Sequence, residues 1–148
     1  MSLPILEGTG VMALLLKVTI AYVLALPTGW ERFRHDRSAG LRTFPLVSLA
    51  SCAYMLAAAL SPVGEEAQSR ILVGVMTGIG FIGGGSIVKD ANTVHGTATA
   101  ASLWNMGAVG VCVSYGNYGL AVLLAAVNYF SLLLLTPLEE KLKREGDV

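Results

Sequence analysis

The sequence predicts an all-α membrane protein, a bundle of about five transmembrane helices, with the amino terminus outside the cytoplasm and the carboxyl terminus inside. Three observations predict it. More than half of the 148 residues are apolar and only 14% are charged, with a mean hydropathy of +0.65; a soluble fold this small could not hide so much apolar surface, whereas a bilayer solvates it. The apolar residues gather into five runs, each near the roughly 20 residues a helix needs to cross hydrocarbon. The basic residues crowd into connections that an odd number of spans places on one side.

The runs cover residues 9–27, 41–60, 68–88, 97–115 and 118–136. Residues 1–8 carry Glu7 but no basic residue, so the first run reads as a retained span and not as a signal peptide. Pro27 and Gly29 are expected to stop it, and Pro45 is tolerable in the first turn of the second. Ser61-Pro62-Val63-Gly64 ends the second span, and Gly116-Asn117 turns the chain between the last two. Residues 1–137 read as one transmembrane domain and 138–148 as a short charged cytoplasmic tail.

Orientation follows from charge. Arg32, Arg34, Arg37 and Arg42 lie between the first two spans, Lys89 between the third and fourth, and Lys141, Lys143 and Arg144 after the fifth. Five spans put all of these on one side, and the positive-inside rule makes that side cytoplasmic.

Several function classes drop out. A net charge of zero gives no footprint for nucleic acid. Cys52 and Cys112 sit singly in apolar runs, without zinc spacing or a disulfide framework. No nucleophile–base pair, zinc motif or acid dyad is recognisable, so neither an enzyme nor a cofactor is expected. Glu7, Glu31, Asp36, Glu65, Glu66, Asp90 and the tail acids all fall outside the expected spans. That leaves no metal site of the carboxylate kind magnesium prefers within the membrane.

Four groups of residues stand out. The third run carries Gly74, Gly78, Gly80, Gly83, Gly84 and Gly85. Gly78-x-Gly80-x-x-Gly83 has the dinucleotide-binding spacing but lacks an acidic residue about 20 positions on. The favoured reading is close helix packing through the G-x-x-x-G pairs Gly74/Gly78 and Gly80/Gly84; the alternative is a kinked or unwound helix end facing a cavity. The loop containing Glu31, Arg32, Gly40, Arg42 and Thr43 reads first as topogenic and lipid-anchoring, with Trp30 and Phe33 at the interface. Its alternative is a phosphate or carboxylate site, or an internal pair between Glu31 and Arg42. Lys17 is either a functional intramembrane charge or a side chain snorkelling outward. Asn105 and Asn128 stand at similar distances on either side of the Gly116-Asn117 turn, so both amides are expected to face the bundle and to bond one another, with Thr99 and Ser102 nearby.

Four segments in series resemble the MgtC/SapB family signature. They are Gly29-x-Glu31-Arg32, Ala39-Gly40-Leu41-Arg42-Thr43, Gly78-x-Gly80-Phe81-Ile82-Gly83-Gly84-Gly85 and Val94-x-Gly96-x-x-Thr99-Ala100-Ala101-Ser102-Leu103-Trp104. The run Gly96-Thr97-Ala98-Thr99 departs from the family's usual order, so no polar role carries over to Ala98. The resemblance implies a multi-pass protein of the bacterial inner membrane, linked to magnesium limitation, of the short branch without a carboxyl-terminal cytoplasmic domain. Glu31, Arg32, Arg42, Gly80, Gly83, Thr99 and Trp104 occupy its motif positions. The reading that follows is a regulatory or accessory protein whose partners are the lipid bilayer and either a second copy, as a homo-oligomer, or another membrane protein. The alternative is an oligomeric permease or channel lined by Thr99, Ser102 and Asn105.

Overall fold

A computed structural model describes residues 8–35, 39–62, 64–90 and 93–146. The order is α1 (Gly8–Arg34), α2 (Thr43–Leu60), α3 (Glu65–Gly85), β1 (Val88–Lys89), β2 (Val94–His95), α4 (Thr97–Ser114) and α5 (Tyr118–Gly146). Three of the helices are long and apolar enough to cross a membrane: Gly10–Arg34, Thr43–Leu60 and Tyr118–Glu139. The 21 residues of α3 and the 18 of α4 fall short in apolarity, diluted by glycine, threonine and serine.

α4 is the hub and touches each of the other helices. Its buried positions Thr99, Ser102, Leu103, Met106, Val109, Gly110 and Val113 recur at helical spacing. They meet Phe44, Val47 and Cys52 of α2 and the small residues Ala21, Ala25, Ala121 and Ala125 of α1 and α5. Glycine permits the tightest crossing: a Cβ on Gly110 would collide with the Ser48 carbonyl oxygen, and one on Gly107 with Ile79 Cδ1.

The turns satisfy their own backbone. At the end of α4, Gly116 takes φ +78. Its N–H donates to Val113 O at 3.0 Å and that of Asn117 to Cys112 O at 2.9 Å, the paired arrangement that closes helices on a left-handed glycine. The turn expected at Gly116-Asn117 is therefore present.

Two expected boundaries need correction. α1 does not stop at Pro27 or Gly29 but continues to Arg34; proline removes one ladder bond, and the turn beyond it is held by side chains buried against other helices. α3 is helical without a break through Gly85, so the alternative of an unwound end is absent from it. It stops there because both the N–H and the hydroxyl of Ser86 bond Gly83 O, at 3.0 and 2.7 Å. The segment running to residue 88 instead enters an antiparallel hairpin that pairs Val88 with His95 and Lys89 with Val94. α5 passes Pro137 and continues as helix to Gly146.

Candidate functional site

Because α1 continues past Pro27, its last two turns put Thr28, Glu31, Arg32 and His35 on one face, at i, i+3, i+4 and i+7. Thr28 is fully buried, while Glu31 and Arg32 are only 4% and 5% exposed. Glu31 and Arg32 thus depart from the loop reading, both being buried and Glu31 a carboxylate inside a candidate span, whereas Arg34 and Arg42 stay exposed. Arg32 Nη2 donates to Thr99 Oγ1 in the first turn of α4. Asn128 Nδ2 of α5 donates to Thr28 Oγ1 at 3.2 Å. A buried polar seam thus ties α1 to both α4 and α5, with Ser102 buried nearly one turn beyond Thr99.

Glu31 meets His35 rather than Arg42. The carboxylate lies 3.3 Å from His35 Nδ1, which also stands 3.0 Å from the Glu31 carbonyl oxygen. Arg42 is exposed at the start of α2 and makes no side-chain cap there. The Ala39-Gly40-Leu41 segment lies against α1 through facing glycines. A Cβ on Gly29 would stand 3.2 Å from Leu41 Cα, and one on Gly40 3.4 Å from Phe33 Cα. Gly40 O then accepts the Thr43 N–H at 3.1 Å and opens α2.

Lys17 reaches a backbone acceptor on α4 and does not extend outward. Its Nζ donates to Ser114 O at 2.7 Å, a carbonyl of the last turn of α4, where the helix dipole favours a cation. The step from Lys17 to Arg32 on α1 equals that from Thr99 to Ser114 on α4, about 22 Å. One helix therefore holds the other at both ends.

The expected asparagine pair is corrected. Asn105 Nδ2 donates to Leu124 O of α5 at 3.1 Å, and Asn128 reaches Thr28. Both amides point into helix interfaces, but each donates to a different helix neighbour rather than to the other.

The glycines of α3 divide. Gly83 packs, its Cβ position lying 3.2 Å from Ala100 O, whereas a Cβ on Gly74, Gly78, Gly80, Gly84 or Gly85 would meet nothing within 4 Å. Among the described residues the G-x-x-x-G pairs therefore carry no close helix crossing. Only Ile79 and Gly83 of α3 are buried. Sequence reasoning missed Gly107 and Gly110, the glycines that do pack, and it missed Thr28. Continuing the helical count four residues back from Arg32 finds Thr28.

Among the described residues no group of three or more His, Cys, Asp or Glu is placed to hold a metal ion. What the seam can do chemically is fix helix positions through charge-assisted bonds and present a buried carboxylate beside an imidazole.

Comparison with known proteins places the chain. No solved structure matches it. An uncharacterized Synechocystis protein, slr0014, is 37% identical over 124 residues, 84% of this chain and 53% of its own length. Protein MgtC of Brucella abortus is 37% identical over 131 residues, 85% of this chain and 54% of its own. The Escherichia coli K12 relative named "Putative magnesium transporter YhiD" is 32% identical over 116 residues, 73% of this chain and 54% of its own. The chain spans about half the length of these curated relatives. The model of the MgtC family matches residues 18–141, which include the whole seam, and the chain belongs to that family.

Proposed function

We propose that this chain is a non-enzymatic, multi-pass protein of the bacterial inner membrane that regulates or assists another membrane protein, or a second copy of itself, through the open face of α3. One observation carries the reading: among the described residues a Cβ on Gly74, Gly80 or Gly84 of α3 would meet nothing within 4 Å, and none of the three lines a hollow shared with α2. Each glycine costs a helix nearly 1 kcal/mol relative to alanine, and a backbone approached closely by another helix offsets that cost. Phe81, 85% exposed, stands on the same helix.

All five helices cross the bilayer in this reading, with the amino terminus outside. The ends of α1 and α3 and the starts of α2 and α4 share one end of the bundle, through the Arg32–Thr99, Gly29–Leu41 and Gly83–Ala100 approaches. Arg34, Arg42 and Lys89 lie there, which supports a cytoplasmic assignment. The family resemblance links the role to magnesium limitation.

The test is cysteine crosslinking in native membranes with Gly74→Ile and Gly80→Ile. Both are expected to abolish an α3-mediated adduct while leaving the fold intact, and unchanged association removes the basis of the proposal. A permease is the second reading, favoured by the polar seam and by the transporter name of the Escherichia coli relative. Saturable magnesium uptake by proteoliposomes, abolished by Asn105→Leu, would install it instead.

A further inference from the structure

We propose that the furrow between α2 and α3 binds one acyl chain of an anionic phospholipid, with its headgroup at the Arg42 end. The furrow encloses about 310 Å³ between Leu46, Ala50 and Tyr54 of α2 and Val75, Gly78 and Ile82 of α3. Its floor is closed by Val47 and Ile79, both buried. Thr43 and Tyr54, which mark its ends, lie about 16 Å apart along α2. That matches the hydrocarbon depth of one leaflet, about 15 Å.

Size decides between occupants. A helix about 10 Å across is as wide as the spacing between neighbouring helices and would rest over the opening rather than lie within it. A single extended hydrocarbon chain fits, and the almost wholly apolar walls suit it. Gly78 contributes no side chain to block the opening.

The two ends differ. At Thr43 and Ile82 the furrow meets a second hollow of about 210 Å³, shared with Ala39, Gly85 and Ser86. Arg42 precedes Thr43 directly, and Lys89 follows Ser86 by one short step into the hairpin. Both are exposed and neither forms an ion pair among the described residues, while Asp90 at the same end faces His95 at 3.7 Å. Unengaged positive charge beside the polar end of an apolar furrow selects a lipid with a negative headgroup. The site rests on the membrane placement above but not on the proposed partner contact at Gly74, Gly80 and Gly84, none of which lines the furrow.

Native mass spectrometry of the detergent-solubilised chain, titrated with dioleoyl phosphatidylglycerol or dioleoyl phosphatidylcholine, tests this. The wild type is expected to bind one phosphatidylglycerol with about a fivefold preference, the contribution of one basic residue near a headgroup. Ala50→Trp, which fills the furrow, should abolish binding of both lipids; Ile82→Trp does so from the opposite wall should the first variant not fold. Arg42→Gln combined with Lys89→Gln should keep binding and lose the preference. Lipid occupancy unaffected by either tryptophan, equal affinity for the two lipids, or a lipid-free dimer dispersed by Ala50→Trp would each overturn the proposal. Lipid binding that survives Gly80→Ile while association is lost separates the failure of one reading from that of the other.

Discussion

Thr99→Val in the seam tests whether a charged hydrogen bond sets how α1 sits on α4. The substitution keeps the shape of the side chain and removes the oxygen that Arg32 Nη2 donates to. Arg32 is 5% exposed and Thr99 fully buried, so water cannot take the lost place. Hydrogen bonds to charged groups contribute about 1.5–3 kcal/mol in soluble proteins. Interhelical bonds in membranes average nearer 0.6 and reach about 1.7 kcal/mol, because the unfolded state in the bilayer also finds partners. A charged donor and complete burial put this pair at the upper end, a coupling of about 1.5 kcal/mol. Thr99→Val alone should therefore cost about 1.5–3 kcal/mol, and Thr99→Ser, which keeps the hydroxyl, about 0.8 kcal/mol for the lost methyl. Arg32→Met should cost less when combined with Thr99→Val than in the wild type, by the coupling energy. Reversible unfolding in mixed micelles, followed by circular dichroism across the four-member cycle, measures it. Losses that add to within about 0.3–0.5 kcal/mol would show that the two side chains do not share an energetically meaningful bond.

Other consequences are as direct. Gly110→Ala drives a methyl into the Ser48 carbonyl and should destabilise by about 1–3 kcal/mol, whereas Gly74→Ala meets open space and should stabilise by up to about 1 kcal/mol; melting temperatures in one detergent compare them. Gly96→Ala must adopt φ +90 and strike the Ser86 carbonyl. It should cost at least about 1–2 kcal/mol and speed amide exchange in the hairpin. Lys17→Met strips the Ser114 carbonyl of its donor, and a loss of about 0.5–2 kcal/mol is expected, with fraying read as faster exchange in the last turn of α4.

The helical character of the protein was legible because apolar run length is a strong signal and survives errors at the boundaries. The seam was not, and Pro27-Thr28-Gly29 shows why. Proline and glycine together read as punctuation, but whether a helix stops there depends on what the following residues bury, and Thr28 and Arg32 are held by α4 and α5. Tertiary partners overrode local preference. The glycines of α3 illustrate the converse: G-x-x-x-G spacing reports that a helix can be approached closely, not by which helix. Gly107 and Gly110 carry the intrachain crossing because α4 is central, a fact of topology that no local window contains. The asparagines were correctly read as needing partners, but equal depth does not fix azimuth, and azimuth chose Leu124 and Thr28.

The anchoring of α4 by Lys17 at one extremity and Arg32 at the other has a mechanical consequence. Sliding α1 along its neighbour by a single residue would strain both attachments simultaneously, so axial translation is the stiffest motion available to the pair. Rolling about the contact line, with the small alanines Ala21 and Ala25 as bearing surface, disturbs neither anchor so quickly.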